Sequence, residues 1–200
     1  MTLLWYLARA AGFAALFAAT ASVMLGALAS GSRTGDPRSR DRRVLRQLAH
    51  RSAAVVTVAM LLLHVTLLVL DNYVDVSVPG VLVPFTAGYR SVALGLGTLA
   101  TYALLAVAVT GAARGRIAAS ATGARAWRAV HLSAYVVWVL AMAHGLLAGT
   151  DTGTGWSWLL YGGCAVSVLV AVWIRVVAAD VQYVAPLPTV RRRLTSGGVR

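Results

Sequence analysis

Five long apolar stretches, separated by short polar connections, run through almost the whole chain. Each stretch is long enough to cross about 30 Å of hydrocarbon as an α-helix, which rises about 1.5 Å per residue. The pattern therefore predicts an all-α integral membrane protein, a bundle of about five transmembrane helices. The predicted spans are residues 3–29, 48–70, 91–112, 130–148 and 156–177.

The charged residues lie mainly in the connections, and arginine is distributed unequally among them. Between the first two predicted helices, the segment from Arg33 to Arg51 holds seven arginines and two aspartates. The next connection carries Asp71 and Asp75 against a single Arg90. Since arginine-rich loops stay in the cytoplasm, the N-terminus is predicted to lie outside and the C-terminus inside. The compartment is therefore predicted to be a cell membrane, and the Arg- and Ala-rich composition favours a bacterial one.

Composition narrows the class of protein further. With 59% hydrophobic and 12% charged residues, the chain has more apolar surface than a soluble domain of this size can bury. The net charge of +12 is explained by topology rather than by nucleic-acid binding, because the arginines sit between apolar runs. Residues 1–180 are predicted to form the bundle. Residues 181–200, with two prolines and three consecutive arginines, are predicted to be a disordered basic tail on the cytoplasmic side.

All four histidines fall on the second and fourth predicted helices. His50 and His64 are 14 residues apart, and His131 and His144 are 13 apart, or about 21 and 20 Å along a helix. Because both helices run from inside to outside, the spacing predicts an inner pair, His50 with His131, and an outer pair, His64 with His144. Neutral imidazole is a good ligand for haem iron, so each pair is predicted to supply both axial ligands of one haem.

The 14- and 13-residue spacings place the two histidines of a helix at different angles around the helix axis. Fourteen residues return to within about 40° of the same helix face, whereas thirteen miss it by about 140°. The fourth helix is therefore expected to contain a π-bulge or another local distortion, or else the two haems are rotated relative to each other. Interhelical hydrogen bonding is the alternative role for a histidine in a membrane helix.

Other residues near the predicted pairs have two interpretations each. Arg51 and Arg128 lie beside the inner pair and Arg9 lies near the outer end, where guanidinium groups would bind haem propionates. Positive-inside topology explains Arg51 and Arg128 equally well. Glycines in the third helix suit either a cofactor or close helix packing. These glycines are Gly95, Gly97 and Gly111.

The remaining polar and aromatic residues are assigned to ordinary membrane-protein roles. Asp71, Asp75 and Asp151 are expected to be solvated acids of the outer loops, with attraction of a ferric ion or a cationic partner as the alternative. The aromatic residues of the fourth and fifth helices are expected to form an interfacial belt rather than a path for electrons. They are Trp127, Tyr135, Trp138, Trp156, Trp158 and Tyr161. The chain has no internal repeat with a strict period.

Residues 45–175 resemble the ferric reductase-like transmembrane domain. This family includes the membrane portion of NADPH oxidases and the haem subunit of a bacterial methionine sulfoxide reductase system. The resemblance rests on the histidine spacings, on the run WRAVHLSAY from Trp127 to Tyr135, and on His144-Gly145 followed by Gly149-Thr150-Asp151.

The resemblance implies that His50, His64, His131 and His144 bind two b haems. Many relatives have an arginine where this chain has Leu132, so Arg128 or another group would have to bind a propionate there. The oxidases of the family continue into flavin and nicotinamide domains, which this chain is not expected to contain.

The function expected from the residues and the resemblance is transmembrane electron transfer, as the membrane cytochrome component of an oxidoreductase. A cytoplasmic flavoprotein or a quinol would donate electrons, and a flavoprotein, a ferric chelate or an oxidised protein outside would accept them. A flavin or quinone would bind on a partner or at the membrane interface. The alternatives are a single-haem partner subunit of a periplasmic reductase and a haem-free membrane transporter or scaffold.

Overall fold

A computed structural model describes residues 2–29, 37–74 and 76–184. These residues form helices, turns and short connections, with no strand among them. Five of the helical segments are long and apolar enough to cross a membrane. The predicted all-α bundle is therefore confirmed. The helices are α1 (Leu3–Ala29), α2 (Pro37–Leu70), α3 (Val78–Leu82), α4 (Ser91–Ala112), α5 (Arg114–Ile117), α6 (Ala121–Leu132), α7 (Ala134–Ala148) and α8 (Gly155–Val184).

The first and third predicted spans match α1 and α4 at both ends. The second predicted span lies within α2, which begins at Pro37, well before residue 48, and ends at Leu70 as predicted. Hydropathy detects the part of a helix that crosses lipid, whereas arginine and leucine continue the same helix into water. The helix α8 continues to Val184, just past the predicted domain boundary at residue 181, and the division into bundle and tail stays a prediction. The rest of the predicted tail lies outside the described residues.

The fourth predicted helix consists of two helices that meet at Ser133. The span Ala121–Ala148 is long and apolar enough to cross a membrane, but α6 ends at Leu132 and α7 begins at Ala134. The Ser133 hydroxyl donates a hydrogen bond to the Val130 carbonyl at 2.6 Å, and its backbone N–H donates to the same oxygen at 3.1 Å. This tight turn is a local distortion of the kind that the 13-residue spacing requires.

The closest helix pairs are α1 with α2 and α4 with α7, while α8 packs along α1. Trp138 of α7 donates its Nε1–H to the Thr20 hydroxyl of α1 at 2.9 Å. The belt interpretation is wrong for Trp138 and Tyr161, because both are buried in the core between α1, α7 and α8, while Trp156 and Trp158 are exposed as a belt requires. The buried members of this core are Leu16, Trp138, Met142, Tyr161, Cys164 and Val168.

Large apolar side chains are exposed along the outside of the bundle. Leu159 is 79% exposed, Val55 69% and Leu169 67%, and similar residues surround them on α2, α7 and α8. A soluble monomer rarely presents so much contiguous apolar surface to water. Together with the five apolar spans, this surface identifies a multi-pass membrane protein with lipid around it.

Candidate cofactor site

The four histidine rings meet as two separate pairs. In the inner pair, the ring centroids of His50 and His131 are 6.0 Å apart and the ring planes make an angle of 75°. In the outer pair, His64 and His144 are 6.3 Å apart at 77°. The structure therefore brings together the same partners that the spacing predicted.

These separations match two imidazoles that bind one metal ion from opposite sides. A nitrogen–metal bond is about 2.0–2.1 Å, and a ring nitrogen lies about 1.1 Å from its ring centre, so two such ligands in line have centroids about 6.3 Å apart. The centroid separations of both pairs are thus those expected of two imidazoles that bind one ion, and the two ring planes are nearly perpendicular.

Three of the four rings are held by a backbone carbonyl. A carbonyl oxygen only accepts, so Nδ1 must carry the proton, and the Nε2 lone pair remains available for a metal. A metal-binding histidine is ordinarily oriented by such a hydrogen bond from its other nitrogen. The bonds run from His50 to Ser22 at 2.8 Å, from His64 to Ala8 at 2.6 Å and from His144 to Ala93 at 2.8 Å.

Each histidine also lies opposite a glycine of the neighbouring helix. A Cβ added at Gly97 would be 2.7 Å from the ring of His144, closer than such atoms pack, and at Gly12 it would be 3.0 Å from His64. The glycines therefore make the space that the rings occupy. The four glycine–histidine neighbours are Gly12 with His64, Gly26 with His50, Gly97 with His144, and Gly111 with His131. At Gly111 an added Cβ would be 3.8 Å from the nearest ring atom.

The glycines and histidines form a repeat that the sequence analysis missed. Gly12 and Gly26 are 14 residues apart on α1, and Gly97 and Gly111 are 14 apart on α4. In both halves, the glycine helix is followed by an antiparallel helix or helix pair that carries two histidines. The connections differ in length, with 24 residues from Gly26 to His50 and 20 from Gly111 to His131, so no strict period exists. Equal glycine spacing was the signal available in the sequence.

Two of the other glycines singled out in the sequence serve packing instead. A Cβ at Gly95 would lie 2.2 Å from the ring of Phe85, and one at Gly145 would lie 2.6 Å from the Tyr161 hydroxyl. Only Gly97 and Gly111 of the third predicted helix therefore face histidines. The packing interpretation therefore holds for Gly95 and Gly145, while the cofactor interpretation of Gly97 and Gly111 stays a prediction.

The three candidate arginines occupy different environments. Arg51, next to His50, and Arg128, one turn before His131, are exposed. Arg9 forms an ion pair with Asp151, and the two side chains are 18% and 26% exposed. The arginine near the outer end thus has a polar partner within the fold.

The interpretation of the outer acids as solvated is wrong for two of the three. Asp151 is the partner of Arg9. Asp71 is 3% exposed and accepts a hydrogen bond from the Thr2 hydroxyl. Their positions next to helix ends did not reveal these contacts, because the partners are Thr2, just before α1, and Arg9 in α1, both far away in the sequence. Asp75 lies outside the described residues.

Each pair offers only two protein nitrogens to an ion. The described residues contain no group of three or more His, Cys, Asp or Glu side chains that could hold a metal ion. A structural zinc ion needs about four protein ligands, whereas haem iron brings four ring nitrogens of its own and needs two more at most. The donor set therefore fits a haem better than a bare ion. All four histidines are half-buried as residues.

The fold and the paired imidazoles define a multi-pass helical membrane protein with two stacked candidate cofactor sites. Comparisons with family models, with curated proteins and with solved structures found no match for this chain.

Proposed function

We propose that this protein carries electrons across a membrane through two b-type haems, one held by His50 and His131 and the other by His64 and His144. The observation that supports this most directly is the geometry of the two pairs. In each pair the ring centroids are separated by about the distance expected of two imidazoles that bind one iron, and three of the four rings have Nδ1 bonded to a carbonyl. Interhelical hydrogen bonding alone does not explain why the rings face one another at this separation.

When bound, each haem supplies a one-electron ferric–ferrous couple. The role of the protein is to hold the haems and to orient the imidazole rings that bind them. The carbonyls of α1 and α4 fix three imidazole planes, and the facing glycines allow the rings to approach those carbonyls. Arg51 and Arg128 supply positive charge for propionates near the inner pair. The apolar helices exclude water from the space between the two pairs.

The position of the sites along the helices suits transfer across a membrane. His50 and His64 lie about 21 Å apart along α2, so the two sites lie toward opposite ends of the hydrocarbon layer. In the predicted orientation, the inner site would receive electrons from a cytoplasmic flavoprotein or a quinol. The outer site would pass them to a flavoprotein, a ferric chelate or an oxidised protein, as the resemblance to ferric reductase-like proteins implies.

The first test is the haem content of the purified protein. We expect a reduced-minus-oxidised spectrum typical of b haems and two haems per chain by haemochrome assay. His64→Ala should leave about one haem, and so should His50→Ala, because each variant removes one ligand of one pair. Thr57→Ala, a buried position between the two histidines on α2, is the matched control and should keep both haems.

Each outcome has a definite meaning. One haem in the unsubstituted protein would replace the proposal with the single-haem partner subunit, and the variant that loses it would identify the pair. No haem after expression with ample haem supply would support a haem-free transporter or scaffold. Unchanged haem content in either histidine variant would contradict the ligand assignment.

A further inference from the structure

Three of the four histidines share one local geometry. In each, the accepting carbonyl belongs to the residue four positions before the facing glycine. The Cβ of a helical residue leans toward the preceding turn, so it would lie over this carbonyl, and glycine leaves the second lone pair of the oxygen accessible. The three sets are Ala8–Gly12–His64, Ser22–Gly26–His50 and Ala93–Gly97–His144.

His131 departs from this geometry. The equivalent acceptor is the carbonyl of Val107, four residues before Gly111. The Thr110 hydroxyl, which donates to the Ala106 carbonyl at 2.7 Å, also lies 3.2 Å from this oxygen. The His131 ring also lies farther from its glycine, with Nδ1 at 3.9 Å from an added Cβ. Nδ1 of His131 is buried and finds no hydrogen-bond partner among the described residues.

In place of a carbonyl, His131 has a stack of two further side chains. The Trp127 ring lies parallel to the imidazole, with a centroid distance of 4.8 Å and an interplanar angle of 18°. The guanidinium of Arg114 lies 4.8 Å from the centroid of the Trp127 ring. A cation thus sits one aromatic ring away from this ligand, and none of the other three histidines has a comparable stack in the part of the chain that the structure describes.

From this asymmetry we infer that Trp127 and Arg114 are positioning residues that raise the reduction potential of the inner haem above that of the outer haem. The inference rests on the proposed function, since it concerns the haem held by His50 and His131. A hydrogen bond from Nδ1 to a carbonyl makes imidazole a more basic ligand, which favours ferric iron. His131 lacks that bond, and the charge of Arg114 further disfavours the more positive ferric state.

The outer site is expected to have the lower potential because both of its ligands are bonded to carbonyls. His64 and His144 donate to Ala8 and Ala93 at 2.6 and 2.8 Å. The ion pair of Arg9 with Asp151 adds no net charge near this end. In a reductive titration, the inner haem would therefore be reduced first.

The test is a spectroelectrochemical titration of the full-length protein with both haems bound. We expect two components, and Arg114→Gln should lower the midpoint of the higher-potential one. A three- to tenfold shift in the ferrous-to-ferric equilibrium is expected, which is about 30–60 mV for one electron. Arg116→Gln removes another exposed charge from the same short helix and should leave both midpoints unchanged.

A second variant tests the ring itself. Trp127→Leu removes the stacked surface and should also lower the higher midpoint, whereas Trp127→Phe keeps the stack and should change it less. A shift confined to the lower-potential component, or no shift in Arg114→Gln and Trp127→Leu with both haems present, would overturn the inference. The absence of both haems from the unsubstituted protein would instead overturn the proposed function. Failure of the inference is therefore distinguishable from failure of the proposed function.

Discussion

At the scale of single residues, the glycines opposite the histidines determine how the imidazoles are held. Gly97 has the closest approach, since an added Cβ would lie 2.7 Å from Nδ1 of His144. This Nδ1 is the atom that donates a hydrogen bond to the Ala93 carbonyl. A methyl group here would push the ring away and break this bond, although alanine itself suits a helix better than glycine does.

Gly97→Ala is therefore expected to weaken retention of the outer haem by about 10- to 100-fold, as loss of an orienting hydrogen bond typically does at metal sites. Haem content should be measured during dialysis against apomyoglobin. Gly162→Ala is the matched control, because an added Cβ there meets no atom within 4 Å. Equal haem loss from both variants would contradict the role assigned to Gly97.

At the scale of elements, the break between α6 and α7 determines which face of the second half carries His144. Without the turn at Ser133, thirteen residues of continuous helix would point His131 and His144 to opposite sides. With the turn, both rings face partners on α2, at 6.0 and 6.3 Å. The turn thus lies between the two histidines, where the 13-residue spacing predicts a local distortion.

One alanine inserted directly after Ser133 should rotate His144 by about 100° and move it about 1.5 Å along the helix. We expect loss of the outer haem, with the inner haem retained because α6 is unaffected. An alanine inserted after Ala119, in the exposed connection before α6, is the control and should keep both haems. If the first insertion also keeps both, the turn does not set the position of His144.

At the scale of the whole molecule, the two halves of the glycine–histidine repeat are incomplete without each other. The first half supplies His50 and His64, the second supplies His131 and His144, and each pair takes one ring from each half. The helix α8 lies outside the repeat and covers α1 and α7. Both sites therefore depend on docking of the halves, and the ion pair of Arg9 with Asp151 links α1 to the connection between α7 and α8.

Arg9→Gln and Asp151→Asn should each destabilise the protein by about 1–3 kcal/mol, between the values for exposed and buried pairs, because each leaves a partly buried charge unpaired. Unfolding in detergent micelles measures the loss. The double variant should be less destabilised than the sum of the two, whereas strict additivity would show that the pair contributes nothing. Arg116→Gln, at an exposed position, should have little effect.

The sequence by itself determined the features that depend on the thickness of a membrane. The apolar runs that became α1 and α4 were predicted at both ends, because lipid selects for a continuous apolar length. The pairing of the four histidines was predicted because nearly equal spacings on parallel helices place side chains at matching depths. Whether the pairs hold haem stays a prediction.

Only the tertiary structure decided which groups surround each histidine. Gly12 and Gly26 lie on a different helix from His64 and His50, and Asp151 lies far along the chain from Arg9. Such contacts depend on how neighbouring helices rotate about their axes, which hydropathy does not specify. The contrast between three carbonyl-bonded histidines and His131 arises from the same rotations, whereas the Trp127–His131 stack joins residues i and i+4 of one helix and is local. Periodicity along one helix defines its faces, but packing decides what each face meets.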